Sequence, residues 1–362
     1  MNKQTWDMYD YIVESKDAVR RMVDHKDEIL KEATEYFFSG NINRIYLVGS
    51  GTSYHAGLAS RSMMEKVLGI PVIAQYPMDF KDQEFLPDSN TLVIGISHAG
   101  RSTSTILALD KAKEKGYATI AASAEKNTPI MDHAERFLEI SVGPEYAAPK
   151  TKGYIGTVAT LVLLALNIGI KSKKITALEY ENYVSDLLDT TDNIPAIAGK
   201  SVDWYNYNKE ELLKSRRMII VGYEQCKSAL MEGTLKVLEA VRYSVTGYEL
   251  EEFMHGVYHS IDQDTFMLYI GSEGQYYNRM INMRNYFEKE RGNKNFVITS
   301  DKGLEKDPRN LIFDFKNHPY FASLEYVVPL QVLARKLSSD LGIDCNISSD
   351  PGFHKKMGSY TY

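Results

Sequence analysis

The chain has 362 residues, room for two domains of ordinary size, and its apolar (44%) and charged (25%) fractions are those of a folded globular protein, neither disordered nor fibrous. A net charge of −6 gives no support for nucleic-acid binding, which needs a basic patch or stripe. Cys226 and Cys345 lie far apart in no metal or redox spacing; this argues against a disulfide scaffold and suits a reducing cytoplasm.

The first residues, Met-Asn-Lys-Gln-Thr-Trp-Asp, carry no apolar signal-peptide core, so a cytoplasmic protein is expected. Residues 5–38 place Met8, Ile12, Val19, Met22, Ile29 and Leu30 at helical spacing, which predicts one or two amphipathic helices. Residues 41–48 then read as a strand that ends in Gly49-Ser50-Gly51-Thr52-Ser53, with a helix over 54–68. A short strand is expected at 72–75, a helix at 77–84 and a buried strand at 92–96. This last strand stops in Ser97-His98-Ala99-Gly100-Arg101-Ser102-Thr103, and apolar residues resume at helical spacing from Ile106 to about 115. Such a junction offers free backbone N–H groups, the positive end of a helix dipole and several hydroxyls, all suited to a phosphate oxygen. Ser102 also suits an N-cap, which would spend its hydroxyl on its own helix, and a capped turn that binds nothing has the same pattern. Strands at 118–123 and 137–140 complete a strand–helix alternation typical of a parallel sheet covered on both faces.

Residues 153–170 run for eighteen positions without a charge, the lower limit for a membrane span. Three Gly, two Thr and Asn167 favour a helix buried in an α/β core, so no membrane association is expected. The helical stretch 151–214 reads as a linker whose polar second half lies at the surface. Arg217-Met-Ile-Ile-Val-Gly222 then repeats the form of Arg44-Ile-Tyr-Leu-Val-Gly49, each followed by a helix, which indicates an internal duplication. Further strands are expected at 266–270, 295–299 and 311–313, with helices at 275–291 and 323–341. The second copy has Tyr-Glu-Gln-Cys after Gly222 and cannot supply the hydroxyl donors of the first. No GxGxxG or GxxxxGK[ST] pattern occurs, so a bound phosphate would belong to a sugar and not to a nucleotide.

Three more groups could carry chemistry. On a helix over 228–241, Glu232, Lys236 and Glu239 share one face opposite an apolar stripe. That face suits either an ion-paired, solvated helix or a carboxylate acting as a proton shuttle. The cluster Glu249-Leu-Glu-Glu-Phe-Met-His255-Gly256 holds a histidine that is either structural or functional, with His259 one turn on as the alternative. Phe353-His354-Lys355-Lys356-Met357 is a basic tail, a kind of segment that is often disordered but whose lysine can attack a carbonyl when desolvated.

Taken together, these residues resemble the sugar-isomerase (SIS) family, in layout the isomerase half of glucosamine-6-phosphate synthase and the fructosamine-6-phosphate deglycases. The likeness spans about the full chain. Gly51-Thr52-Ser53-Tyr54 is similar to the family's first sugar-phosphate loop, and Ser97 to Ser102 stands where the family has Ser-Gln-Ser-Gly-Glu-Thr. Glu145 with Thr151-Lys152 resembles the stretch before the family's long central helix. Glu232 to Glu239, with His255-Gly256 sixteen residues later, keeps the family's spacing.

The resemblance implies an α/β fold of two tandem SIS-type doubly wound domains, each a parallel sheet flanked by helices. The expected parts are N-terminal helices (1–40), a first domain with the phosphosugar loops (41–200), a second domain (201–345) and a tail over the active site (346–362). It implies substrate or phosphate binding by Gly51, Thr52, Ser53, Ser97, His98, Ser102, Lys152, Glu232 and Lys236. Glu239 would move a proton between sugar C1 and C2. His255, typically from a partner subunit, would open the ring, and Lys356 (or Lys355, one position earlier) would meet the open-chain carbonyl. A homodimer or larger homo-oligomer with shared sites follows, with no metal or cofactor. Here His98 and Ala99 replace the family's Gln and second Ser, and Met-Gly-Ser-Tyr-Thr-Tyr follows Lys356 in place of the family's Ser-Val-Thr-Val-Glu. No glutaminase domain is read near residue 1, so a deglycase needing only water is expected. The alternatives are an aldose–ketose or amino-sugar-phosphate isomerase or deaminase, or a sugar-phosphate sensor.

Overall fold

The computed structural model describes residues 7–84 and 90–362; the start of the 5–38 helical stretch lies outside them. Helices α1 (Met8–Asp24) and α2 (Lys26–Ser39) come first. A series follows of β1 (Arg44–Gly49), α3 (Thr52–Leu68), β2 (Val72–Gln75), α4 (Pro77–Asp82), β3 (Thr91–Ile96), α5 (Thr103–Glu114), β4 (Ala118–Ser123) and β5 (Arg136–Glu139). Next are α6 (Lys152–Lys171), α7 (Ala177–Asp192) and α8 (Ile194–Leu212). The second series is β6 (Arg217–Gly222), α9 (Lys227–Val241), β7 (Ser244–Glu249), α10 (Leu250–Phe253), β8 (Phe266–Ile270), α11 (Tyr277–Arg291), β9 (Lys294–Thr299) and β10 (Asn310–Ile312). Helices α12 (Ala322–Asp340) and α13 (Phe353–Lys356) follow.

Two compact units result. One comprises Asp17–Glu145, Lys152–Leu188 and Ser348–Tyr362 and holds the first sheet. The other comprises the described residues up to Lys16, Tyr146–Thr151 and Asp189–Ile347 and holds the second.

The first sheet is parallel, in the order β2-β1-β3-β4-β5. From β1 the chain moves to one side for β2 and to the other for β3, so the topological switch point lies between β1 and β3. Gly49 pairs with Ile96, which makes the two hydroxyl loops leave the sheet from matched positions. All six residues of β3 are buried, as expected for a central parallel strand covered on both faces. Residues 152–169 of α6 are also buried, so this uncharged stretch is a core helix.

The second sheet, β10-β9-β8-β6-β7, has the same order once β6 is matched to β1. The sequence pattern misses β7: it is an edge strand with only Val245 buried, so no apolar run marks it. At the switch point between β6 and β8, Tyr223 (1% exposed) packs its ring on Gly271, where a Cβ would meet the ring at 2.5 Å. Its hydroxyl donates to the Ser272 carbonyl. The crevice that holds hydroxyl loops in the first sheet is thus filled here by a phenol.

The linker expectation needs correction. Within the polar half of 151–214, α8 buries Ile194, Ile197, Ala198, Trp204, Tyr205 and Leu212, because its apolar residues fall on one stripe.

Candidate functional site

In the first-sheet unit, both hydroxyl loops end in helix N-termini. Gly51, at φ 55°, is the N-cap of α3, a left-handed conformation that glycine adopts without strain. Thr52 and Ser53 form the first turn of α3 and are half-buried. Across the switch point, Ser97 is 7% exposed, and its hydroxyl accepts the Ser102 N–H at 3.3 Å. Ser102 caps α5: its hydroxyl accepts the Thr105 N–H at 3.5 Å and the Thr105 hydroxyl at 3.0 Å. The capping role is therefore present beside the proposed phosphate role. Gly100, at φ 64°, sits so close to Thr128 that no side chain fits.

His98 places its carbonyl on Ser123 Oγ (3.1 Å) and the Ala124 N–H (3.0 Å), while its ring lies over α6. A Cβ on Gly153 would meet His98 Cε1 at 2.6 Å and Glu145 Oε2 at 3.2 Å. Glu145 accepts the backbone N–H groups of Lys152 (3.2 Å) and Gly153 (2.8 Å), so a carboxylate caps the positive end of the core helix. Lys152 is buried, and its ammonium donates to the Pro144 carbonyl at 2.9 Å. A cleft of about 510 Å³ in this unit, lined by Arg21, His25, Glu28, Lys126, Phe137 and Glu139 among others, contains none of the sequence-predicted residues.

The last residues of the sequence are ordered, contrary to the disordered alternative for a basic tail. Lys356 lies on α13 with its side chain 69% exposed and its ammonium 3.8 Å from Asp350. Tyr360 forms an antiparallel bridge with Ser102. Nothing in the sequence pattern marked residues 359–361 as partners of the Ser97–Ser102 loop.

In the second-sheet unit, α9 packs on α12. Gly233 permits this approach, since a Cβ there would meet Leu330 Cβ at 2.7 Å. Glu232 and Lys236 are buried, which corrects the solvated-face alternative. Lys236 Nζ lies 3.4 Å from Glu232 and 2.9 Å from Glu239, whose side chain is 41% exposed. Burial works against the ammonium, yet the two carboxylates outweigh it and hold Lys236 above its ordinary range. The arrangement presents a carboxylate to solvent from a buried, charge-balanced base. His255 sits on an exposed turn after α10, and its ring makes no hydrogen bond among the described residues. Burial pushes the Cys226 thiol up to about 12, which makes it a poor nucleophile. Pattern reading also missed Glu325, a buried carboxylate that accepts the N–H groups of Lys316 (2.8 Å) and Asn317 (3.3 Å) and the amide of Asn193 (2.7 Å). Burial raises it, and its bonds mark a structural role.

Comparison with known proteins defines the class. Residues 41–167 match the SIS domain model, and this stretch is a SIS domain. Over 321 residues the chain is 28% identical to the glutamine–fructose-6-phosphate aminotransferase (isomerizing) of Clostridium tetani, covering 88% of this chain and 51% of that protein. A candidate phosphosugar isomerase from Clostridium difficile matches in structure with a TM-score of 0.90 and 29% identity, over 98% of this chain and 99% of that one. The C-terminal domain of glucosamine-fructose-6-phosphate aminotransferase from Francisella tularensis shares the fold, with a TM-score of 0.81 at 18% identity over 95% of this chain and 99% of that one. The chain spans about half the length of the curated relatives it matches. It is homologous to the isomerase domain of these aminotransferases.

Proposed function

We propose that this protein is a phosphosugar enzyme that moves a proton between C1 and C2, and specifically a deglycase acting on a fructosamine-type sugar 6-phosphate. The observation that carries this reading is the carboxylate of Glu239, partly open to solvent and held 2.9 Å from a buried lysine. Such a group is placed to take and return a proton, the task a general acid–base residue performs. Gly51, Thr52, Ser53, Ser97, His98 and Ser102 would hold the ester at the β1/β3 switch point. Binding energy from that remote phosphate would then orient the reacting carbons.

In this reading the ring opens with help from His255 of a second copy, and Lys356 meets the open-chain carbonyl. Glu239 removes a proton from C1 of the ketosamine and the proton returns at C2, which leaves an imine at C1. Water adds to that imine and the amine departs, so adduct plus water gives hexose 6-phosphate plus free amine. We read the two sheets as tandem SIS-type domains and the working form as a homodimer. The names of the aminotransferase relatives favour a second reading, isomerisation or amination of the sugar phosphate with free ammonia.

Glu239→Gln should lower turnover by roughly a hundredfold or more while leaving sugar-phosphate affinity nearly level. Near-normal turnover would remove Glu239 from the mechanism. Assaying a fructosamine 6-phosphate against fructose 6-phosphate with ammonia and glucosamine 6-phosphate separates the enzymatic readings. Binding without turnover of any of them would identify a sensor.

A further inference from the structure

Residues 359–361 run antiparallel to residues 101–103, the segment in which the Ser97–Ser102 loop passes into α5. The Thr103 N–H donates to the Ser359 carbonyl at 3.1 Å, and the Thr361 N–H donates to the Arg101 carbonyl at 2.8 Å. The Thr103 and Thr361 hydroxyls meet at 3.1 Å, and the Arg101 guanidinium lies 5.7 Å from the Tyr362 ring centroid. These contacts bracket Ser102 on both sides. Thr103 is the first residue of α5, so its N–H is one of the helix's orphan donors, and the Ser359 carbonyl satisfies it.

The same residues are folded back on α13. Tyr360 stacks on the His354 ring at 4.0 Å and 1°, and His354 Nδ1 lies 2.9 Å from the Ser359 hydroxyl. The Ser359 N–H donates to the His354 carbonyl at 3.1 Å. One continuous set of bonds therefore runs from the hydroxyl loop through residues 359–361 to the helix that carries Lys356.

We propose that residues 359–361 are a positioning strap that holds the Ser97–Ser102 loop in the conformation competent for a phosphate ester and sets its affinity. The effect on affinity rests on the phosphate reading of that loop given above; the brace itself does not. A loop already ordered before binding loses less conformational freedom when the anion arrives. Without the strap, the exit of the loop and the first turn of α5 are ordered at the expense of binding.

Thr361→Pro removes the one N–H donated to the Arg101 carbonyl, and it leaves Tyr360 in the extended region that a following proline requires. Thr361→Ala keeps that N–H and deletes only the hydroxyl contact. In the intact chain, calorimetric titration with inorganic phosphate should give a Kd raised roughly three- to tenfold by Thr361→Pro, the worth of one net hydrogen bond. Thr361→Ala should change it by less than about twofold. Tyr360→Ala, which loses the stack on His354, should fall between them. Hydrogen exchange without ligand should quicken at residues 103–105 in Thr361→Pro. Unchanged exchange there overturns the brace, and faster exchange with level phosphate affinity overturns its role in binding. Failure of the phosphate reading is recognised separately, because wild-type protein then binds neither phosphate nor fructose 6-phosphate, and the affinity claim falls with it.

Discussion

At Lys236, burial and charge oppose each other. An ammonium removed from water is costly, and it stays charged here because two carboxylates flank it at 3.4 and 2.9 Å. Glu232, fully buried, is the other half of the same ion pair. Lys236→Met would remove the ammonium from this buried pair and should cost about 3–5 kcal/mol in urea unfolding. The double change with Glu232→Gln should recover much of the loss; a single variant as stable as wild type would show that the buried pair contributes nothing measurable. The i, i+4, i+7 spacing put these three residues on one face. It left open whether the face was wet or dry, because the side chains themselves are polar either way. The deciding contact is remote in sequence: Gly233 lets α12 come close, and spacing on α9 carries no trace of Leu330.

Between elements, α8 and α12 are tied at Asp340. Its carboxylate accepts the Lys209 ammonium at 2.8 Å and the Tyr205 hydroxyl at 2.8 Å. Lys209 in particular holds the Asp340 carboxyl below its ordinary value of 3.8. The native state thus binds fewer protons there than the unfolded chain, so the contribution is full above pH 3.8 and fades as pH falls through the depressed value. Asp340→Asn should cost about 1 kcal/mol at neutral pH, and the difference from wild type should close in acid unfolding curves. A gap that persists unchanged at low pH would assign the effect to packing. Element type and position were legible wherever an apolar run or stripe existed, as at Phe266–Ile270 and Arg217–Gly222, whose bounds the structure reproduces. Edge strand β7 and the strap at 359–361 were not, because both are specified by backbone pairing to distant segments and not by their own side chains.

For the whole molecule, the repeated Arg-x-x-x-Val-Gly form announced a duplication, and the shared strand order of the two sheets agrees with it. Assembly was implied by family likeness alone, and His255 gives it a physical handle: the ring is exposed and makes no hydrogen bond among the described residues. If that ring serves the neighbouring copy, His255→Ala and Glu239→Gln chains, each inactive alone, should regain activity when mixed and reassembled. Random pairing gives about half heterodimers with one intact site each, hence about a quarter of wild-type turnover. No recovery, with heterodimers confirmed by mass, would place His255 in its own copy's site or outside the chemistry.

Tyr223 has a consequence for how such a repeat can divide its labour. Two lobes of the same topology offer two such crevices, but the buried Tyr223 ring fills the one in the second sheet. If the first sheet grips the phosphate as proposed, titration should find one anion for every polypeptide, and the sealed lobe is left free to carry Glu239.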